Sequence, residues 1–278
     1  MIYCFDTSAL NCLHDDTECA NITVGLTSTN IVWITALNVI EAGITNEVVR
    51  RISLLRLQKQ LGCDTRPLQI PNLLLQESAF AFAARRSQRN LSIGKDQNGI
   101  WYALNNPELI DEAARQELYA WKKELEDNFR IAHERGRPQF QRLFASMERP
   151  RNAAALLRHY VQNSDFLYDV TAEMYEIGTG VKLHKDDLFS FFSSAPQWPF
   201  FLLGWAYAIY ARAIQPQNYG RPNAGTIDIW CATYLPSCDV FVTADVAQYK
   251  ALRLINTFNQ RHCRVLRYSM LRRTLILG

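Results

Sequence analysis

After Met1 the chain begins with Ile2-Tyr3-Cys4-Phe5-Asp6, four residues typical of a strand followed directly by a carboxylate. Three later runs have the same β-branched and aromatic character and are apolar on both faces. They are Ile31–Ile34, Val240–Val242 and Val265–Tyr268. Such runs are typical of parallel strands that helices cover on both sides. Helical patterns follow at Ala36–Ala42, Asn46–Leu61 and Asp228–Leu235. The two ends of the chain therefore predict an α/β fold with a parallel sheet.

The middle of the chain has almost no strand signal between about residues 72 and 195. Four helical patterns occupy it, at Leu73–Asn90, Glu108–Arg135, Asn152–Gln162 and Asp165–Ile177. Gly94–Gly99 and Gly136–Pro138 are expected to interrupt them. We therefore predict a three-layer α/β/α core made of residues 1–62 and 198–278. A large all-helical insertion, residues 63–197, is expected to interrupt this core.

Composition excludes several classes of protein. Of the 278 residues, 48% are apolar and 21% charged, which does not suit a disordered chain. The seven cysteines form no C-x-x-C pair, so we expect reduced thiols rather than a disulfide framework or a four-cysteine zinc site. No basic leader precedes the first strand, and the longest apolar run, Phe200–Ala211, is shorter than the ~20 residues of a membrane span. We expect a cytoplasmic protein without a membrane partner.

Four carboxylates occupy special places in this predicted fold. Asp6 and Asp245 each follow a strand, at the edge where open α/β sheets bind ligands. Glu41 lies among apolar residues late in a short helix, and Asp228 lies in the first turn of a helix that is apolar nearly all round. Each has a structural alternative: turn formation for the two strand-end aspartates, a favourable helix dipole for Asp228, and a buried arginine partner for Glu41. Together, the four are the pattern that a shared metal site requires.

These segments resemble the PIN domain, named after the PilT N-terminus and best known in VapC-type toxin ribonucleases. The resemblance lies in Phe5-Asp6-Thr7-Ser8-Ala9-Leu10, in the helix that bears Glu41, in Asp228, and in Val242-Thr243-Ala244-Asp245. It covers about the first 60 and the last 80 residues. The long stretch between Glu41 and Asp228 departs from compact members of the family, so no role is transferred to it.

The resemblance implies a PIN-like core and a catalytic and metal-binding quartet of Asp6, Glu41, Asp228 and Asp245. Ser8 and Thr243 would be the supporting hydroxyls, and the products would carry a 5′-phosphate and a 3′-hydroxyl. Oxygen-only ligands select Mg²⁺ or Mn²⁺ rather than zinc. The expected activity is therefore Mg²⁺- or Mn²⁺-dependent hydrolysis of phosphodiester bonds, with single-stranded or structured RNA favoured over DNA.

Basic residues dominate the end of the chain, since no acidic residue follows Asp245. Clustered arginines suit contacts with phosphates, although they could equally form solvated helix faces. The predicted nucleic-acid contacts are Lys250, Arg253, Arg261, Arg264 and Arg267. A homodimer and an inhibitory protein partner both remain compatible with the sequence.

Other readings of the sequence stay open. A PIN-like fold could serve as an inactive nucleic-acid-binding or assembly module, and a related DNA nuclease would use the same acids. Cys12, His14 and Cys19 could suggest zinc, but their spacing matches no common site. A phosphatase of the haloacid dehalogenase type also begins with a strand and an aspartate, but it needs a second aspartate where this chain has Ser8.

Overall fold

The structure, a computed structural model, describes residues 1–63, 65–85, 97–145, 152–213, 229–258 and 263–277. It is a mixed α/β fold with one sheet of four parallel strands in the order β2-β1-β3-β4. The strands are β1 (Ile2–Phe5), β2 (Ile31–Trp33), β3 (Val240–Thr243) and β4 (Arg264–Arg267). Both ends of the chain therefore build one sheet, as the sequence predicts.

The four predicted strands are confirmed, with ends that differ by a residue or two. Strands β1 and β3 pair in the middle of the sheet, with Cys4 opposite Phe241, and their side chains are almost entirely buried. Strand β4 is an edge strand in which Val265 is buried while Arg264 and Arg267 are exposed. The sequence predicted apolar faces on both sides there, and the position at the edge explains the difference.

Within the described ranges, six helices belong to the terminal parts of the chain. They are α1 (Thr7–His14), α2 (Cys19–Thr27), α3 (Ala36–Gly43), α4 (Val48–Gly62), α12 (Val246–Phe258) and α13 (Tyr268–Leu277). Helix α3 begins where the sequence predicts, because Thr35 accepts a hydrogen bond from the backbone of Asn38 while the Asn38 side chain accepts one from the backbone of Thr35.

The described part of the middle of the chain is helical, as predicted. Its helices are α5 (Pro71–Ala83), α6 (Asn98–Asn105), α7 (Glu112–Ala145), α8 (Ala153–Gln162), α9 (Ser164–Thr179), α10 (Leu188–Ser194) and α11 (Gln197–Ala213). Short 3₁₀ turns lie at Pro107–Leu109 and Lys185–Asp187. The predicted interruption at Gly136–Pro138 is wrong, because α7 continues through Pro138. A proline removes one helical hydrogen bond and bends the preceding turn, and a helix of 34 residues can absorb that cost.

The predicted helix Asp228–Leu235 is only partly described. Asp228 lies outside the described residues, and the chain from Cys231 to Ser237 is a 3₁₀ helix rather than an α-helix. Pro236, which has no N–H, cannot continue an α-helical ladder there. Gly204 of α11 lies so close that an added Cβ would stand 2.8 Å from the Cγ2 of Ile229. The glycine lets α11 pack directly against this segment.

One hydrophobic cluster connects the sheet with the helices of the middle. It includes Leu10 and Phe241 beside the sheet and Tyr160 and Phe191 from the helical stretch. The three-layer arrangement and the boundaries at residues 62 and 198 stay predictions. No helix within the described ranges combines the length and the apolar character that a membrane crossing requires.

Candidate functional site

The candidate site lies at the carboxyl ends of β1 and β3. The strand order reverses direction between these two strands, and open α/β sheets bind ligands in the crevice at such a switch point. A cavity of about 250 Å³ is found there. Asp6, Glu41 and Asp245 line it together. Three of the four predicted metal ligands thus come from distant parts of the sequence to one cavity.

Asp6 is the N-cap of α1 and is buried, with 7% of its surface exposed. Its Oδ1 accepts a 2.7 Å hydrogen bond from the backbone N–H of Ala9. The Ser8 hydroxyl lies 2.7 Å from Oδ2 and 2.9 Å from Oδ1, and the Thr243 hydroxyl donates to Oδ2 at 2.8 Å. Within the described chain no cationic side chain contacts this carboxylate. Its partners are neutral groups.

The electrostatics of Asp6 follow from this environment. Burial raises the pKa of its carboxyl to about 6, because the charged form loses its hydration. The hydrogen bonds from Ala9, Ser8 and Thr243 lower the pKa, and the negative charge of Glu41 raises it further. Burial outweighs the hydrogen bonds, so the ionised form of Asp6 is stable near neutral pH only at a cost in free energy.

Ser8 and Thr243, the two predicted supporting hydroxyls, connect Asp6 with Asp245. Besides donating to Asp6, the Ser8 oxygen accepts from the backbone N–H groups of Ala244 at 3.0 Å and Asp245 at 3.2 Å. The Thr243 oxygen accepts from the same Asp245 N–H at 3.0 Å. Asp245 itself is exposed, and its Oδ1 accepts from the backbone N–H of Gln248 in the first turn of α12. The two hydroxyls therefore fix how the ends of the two strands face each other.

Glu41 has a cationic partner that the sequence did not indicate. The Lys122 ammonium of α7 lies 2.9 Å from its Oε1, and both side chains are half-buried. Gly43 supports this arrangement, since an added Cβ would collide with the side chain of Leu118, also on α7. The close approach of α3 and α7 brings the lysine to the glutamate. The sequence alternative of an arginine partner is therefore wrong in residue type, while the ion pair itself is present.

The structure leaves the quartet incomplete. Asp228 falls in residues 214–228, outside the described ranges. Within the described ranges no three His, Cys, Asp or Glu side chains are grouped closely enough to hold a metal ion. The donor chemistry nevertheless fits a hard divalent cation, because the acids that line the cavity offer only carboxylate oxygens. The lysine on Glu41 is the contact that such an ion would have to share or displace.

Five neutral polar side chains that were not predicted as site residues also line the cavity, beside Leu37 and Cys231. They are Thr7, Asn11, Thr35, Asn38 and Gln248. The amide of Asn38 donates to the hydroxyl of Thr7 at 3.3 Å, which joins α3 to α1. The one available sequence signal was Asn38, which with Glu41 interrupts the apolar pattern of α3.

The predicted nucleic-acid contacts lie on the surface where they are described. Lys250, Arg253, Arg264 and Arg267 are exposed, and Arg261 lies outside the described residues. Arg253 lies over the ring of Tyr249, 5.4 Å from its centroid, and donates to its hydroxyl.

Cys12, His14 and Cys19, the residues considered for zinc, form no metal-binding group within the described chain. Cys12 is exposed and Cys19 half-buried, while His14 contacts Asp15 and Ser53 at 2.7 Å each. All seven cysteines are free thiols, and four of them, Cys4, Cys231, Cys238 and Cys263, are buried.

Comparison with known proteins gives no match: no family model, no curated protein and no solved structure is similar to this chain. The PIN-domain resemblance remains a prediction from the four motifs.

Proposed function

We propose that the protein is a nuclease that uses Mg²⁺ or Mn²⁺ to hydrolyse phosphodiester bonds, with RNA as its favoured substrate. The PIN-like fold, the metal and the activity are all parts of this proposal. They explain why carboxylates from both ends of the chain line one cavity at the switch point of a parallel sheet.

The environment of Asp6 is the observation that carries the proposal. A buried aspartate normally pairs with a cation or becomes neutral, because an isolated buried charge is costly. Asp6 has only neutral donors within the described chain, and two further acids, Glu41 and Asp245, line the same cavity. Repulsion between Glu41 and Asp6 contributes to the raised pKa of Asp6. A divalent cation would relieve both penalties.

The chain's own residues would prepare this site in the following way. Ser8 and Thr243 hold the Asp6 carboxylate in one orientation, and the helical turn at Gln248 does the same for Asp245. Asp6, Glu41 and Asp245 would hold the ion, with Asp228 as the proposed fourth ligand. When bound, such an ion lowers the pKa of a water molecule and neutralises charge on the scissile phosphate.

The exposed basic residues would bind the backbone of the substrate. Lys250 and Arg253 lie on α12, the helix that begins beside Asp245, and Arg264 and Arg267 lie on the edge strand β4. Arginines and lysines of this kind contact phosphates without reading sequence. Nothing in these side chains distinguishes RNA from DNA, so the preference for RNA rests on the family resemblance.

A second candidate is an inactive PIN-like module that binds nucleic acid or assembles with a partner. The ion pair between Lys122 and Glu41 favours it, because the lysine already supplies the positive charge that an active site would take from a metal.

One experiment decides between the two candidates. Mixed single-stranded RNA and DNA are incubated with the protein in Mg²⁺ or Mn²⁺, and again after addition of a chelator. A nuclease cleaves only with the metal, and an Asp6→Asn variant of equal purity loses the cleavage. Cleavage that persists equally in chelator or in the variant points to a contaminant. Binding without cleavage under all conditions supports the inactive module.

A further inference from the structure

A second cavity, of about 170 Å³, lies between the start of α5, the start of α6 and one face of α7. Its lining contains apolar side chains, among them Ile70, Leu73 and Leu125, beside polar ones. The residues that α7 contributes are Trp121, Glu124, Leu125 and Asn128, spaced three and four apart, so they share one face of the helix. Neither the sequence motifs nor the proposed chemistry uses this cavity.

Gln97 lines this cavity with a side chain whose amide atoms are themselves buried. The side chain is 2% exposed, and neither its amide oxygen nor its amide nitrogen has a hydrogen-bond partner within the described part of the chain. Gln97 is the N-cap residue of α6, but its side chain makes no capping hydrogen bond. The amide oxygen of Asn72 is also buried and has no partner among the residues that the structure describes. Buried amides are rarely left unpaired, since each unsatisfied atom costs about 1–3 kcal/mol.

The lining points to one type of ligand. An amide offers an adjacent donor and acceptor, which match the adjacent donor and acceptor on the edge of a nucleobase. The half-buried indole of Trp121 and the apolar side chains suit the flat faces of a heterocycle. Glu124 is exposed and also lines the cavity, so it disfavours a phosphate group inside. The cavity is smaller than the roughly 300–1,000 Å³ of pockets for whole cofactors, which fits a single base.

Helix α7 links this cavity to the acidic one. Lys122, which pairs with Glu41, is the residue directly after Trp121. A base in the second cavity would therefore lie beside the helical turn that holds a carboxylate of the first.

We propose that the cavity at Gln97, Asn72 and Trp121 binds a nucleobase, with the amides pairing to its edge and the indole contacting its ring. The terminal torsion of a glutamine is soft, so the Gln97 amide can turn toward the bound base. The base can belong to a nucleic-acid strand or to a free nucleoside. Only the first source rests on the proposed nuclease function.

Tryptophan fluorescence tests the proposal in chelator, where no metal-dependent cleavage can interfere. The full-length protein is titrated with adenosine, guanosine, cytidine and uridine, and separately with ten-nucleotide homopolymers. We expect saturable quenching in the parent protein. Trp121→Phe should lose the quenching, and Gln97→Leu should weaken the binding at least about tenfold, the size expected for a lost pair of hydrogen bonds to a base edge. Gln162→Leu, at an exposed position at the end of α8, is the matched control and should bind as the parent does.

Thermal unfolding separates lost binding from lost folding. Because Gln97→Leu removes two unsatisfied polar atoms, its Tm should equal or exceed that of the parent. If that variant unfolds instead, the Trp121→Phe titration decides the question. Quenching by homopolymers alone assigns the base to a strand, and quenching by nucleosides as well assigns it to a small ligand. No saturable quenching by any probe, or unchanged binding in both variants, overturns the proposal. A protein that binds bases but never responds to Mn²⁺ would refute the nuclease and leave the base site standing.

Discussion

The two ends of helix α1 present aspartates in opposite environments. At its C-terminal end, Asp15 accepts two 2.8 Å hydrogen bonds from Arg50, and Asp16 accepts from Arg272 at 2.6 Å and Tyr268 at 2.8 Å. These arginines lower the pKa of each aspartate to about 2. At the N-terminal end, burial raises the pKa of Asp6 to about 6.

The helix dipole alone would give the reverse order, since it stabilises a negative charge at the N-terminus and disfavours one at the C-terminus. Local partners therefore decide the protonation of these groups. Asp15 and Asp16 have arginines and serve to join α1 to α4 and α13. Asp6 has hydroxyl and amide donors but no cationic partner within the described chain. We expect this environment for an aspartate that binds a metal ion. Four predictions test this contrast.

The largest effect should be the loss of cleavage when Asp6, at the N-terminal end of α1, is replaced by asparagine. The same replacement of Asp16, beyond the C-terminal end, should have almost no effect. Asp6→Asn should lower kcat/KM for RNA cleavage at least about 100-fold, the usual scale for removing a group that stabilises charge in the transition state. Asp16→Asn should change it less than about threefold, because its arginine pair lies outside the acidic cavity. Initial rates at saturating Mg²⁺ measure both. Equal losses in the two variants would show that Asp6 acts only through the fold.

The same contrast should appear in the pH dependence of stability. The folded-state pKa of Asp6 lies above its ordinary value, so its folded form binds the proton more tightly and stability falls as pH rises from about 4 to about 6. For Asp15 and Asp16 the folded-state pKa is lowered, so their contribution is complete above about pH 4 and is lost as pH falls toward 2.

Urea unfolding at a series of pH values measures this dependence. Without metal, the parent protein should lose about 2–3 kcal/mol between pH 4 and pH 7 from Asp6, at 1.36 kcal/mol per pKa unit. Asp6→Asn should remove this fall in stability between pH 4 and pH 7. It should keep the loss of stability below pH 4, which comes from Asp15 and Asp16. A variant whose profile overlays the parent's would show that Asp6 titrates normally.

Replacing Lys122, the partner of Glu41, should have a smaller effect than replacing Asp6. It should strengthen metal binding rather than weaken it. Lys122→Met frees Glu41 from its ion pair, so Mn²⁺ should bind about five- to tenfold more tightly, an amount typical of one partly exposed charge contact. The exposed neighbour Lys123→Met is the control and should bind Mn²⁺ as the parent does. Calorimetric titration compares them. Weaker binding in Lys122→Met would mean that the lysine supports the site rather than competing with the ion.

The smallest effect should follow from Arg50→Gln. Its pair with Asp15 is largely solvent-exposed, so the unfolding free energy should fall by less than about 1 kcal/mol. Cleavage should be unchanged. Urea unfolding and initial rates check the two parts, and a clear loss of cleavage would contradict the division of the two ends of α1 into structural and functional aspartates.

The sheet could be predicted from the sequence because buried parallel strands leave a local signature of consecutive β-branched and aromatic residues. The signal for the start of α3 was equally local, since Thr35 and Asn38 form its capping box within four residues. The 3₁₀ helix near Pro236 does have a local cause, because a proline has no N–H to donate to an α-helical ladder. The passage of α7 through Pro138 depends instead on packing along the whole helix, which no short pattern records.

For the site, the ends of β1 and β3 could be foreseen, since parallel strands bring Asp6 and Asp245 to one edge. The partner of Glu41 could not, because Lys122 lies 81 positions away in a segment without a recognisable motif. The unpaired amide of Gln97 could not be predicted from the sequence either, since burial without a partner is a property of the fold alone.

The most direct test of the account is a calorimetric titration of the metal-free protein with Mn²⁺. We expect saturable binding to the parent protein, and its loss in both Asp6→Asn and Asp228→Asn, because both acids are proposed to hold the same ion. Absence of saturable binding in the parent, or undiminished binding in both variants, would contradict a metal site built from the two ends of the chain.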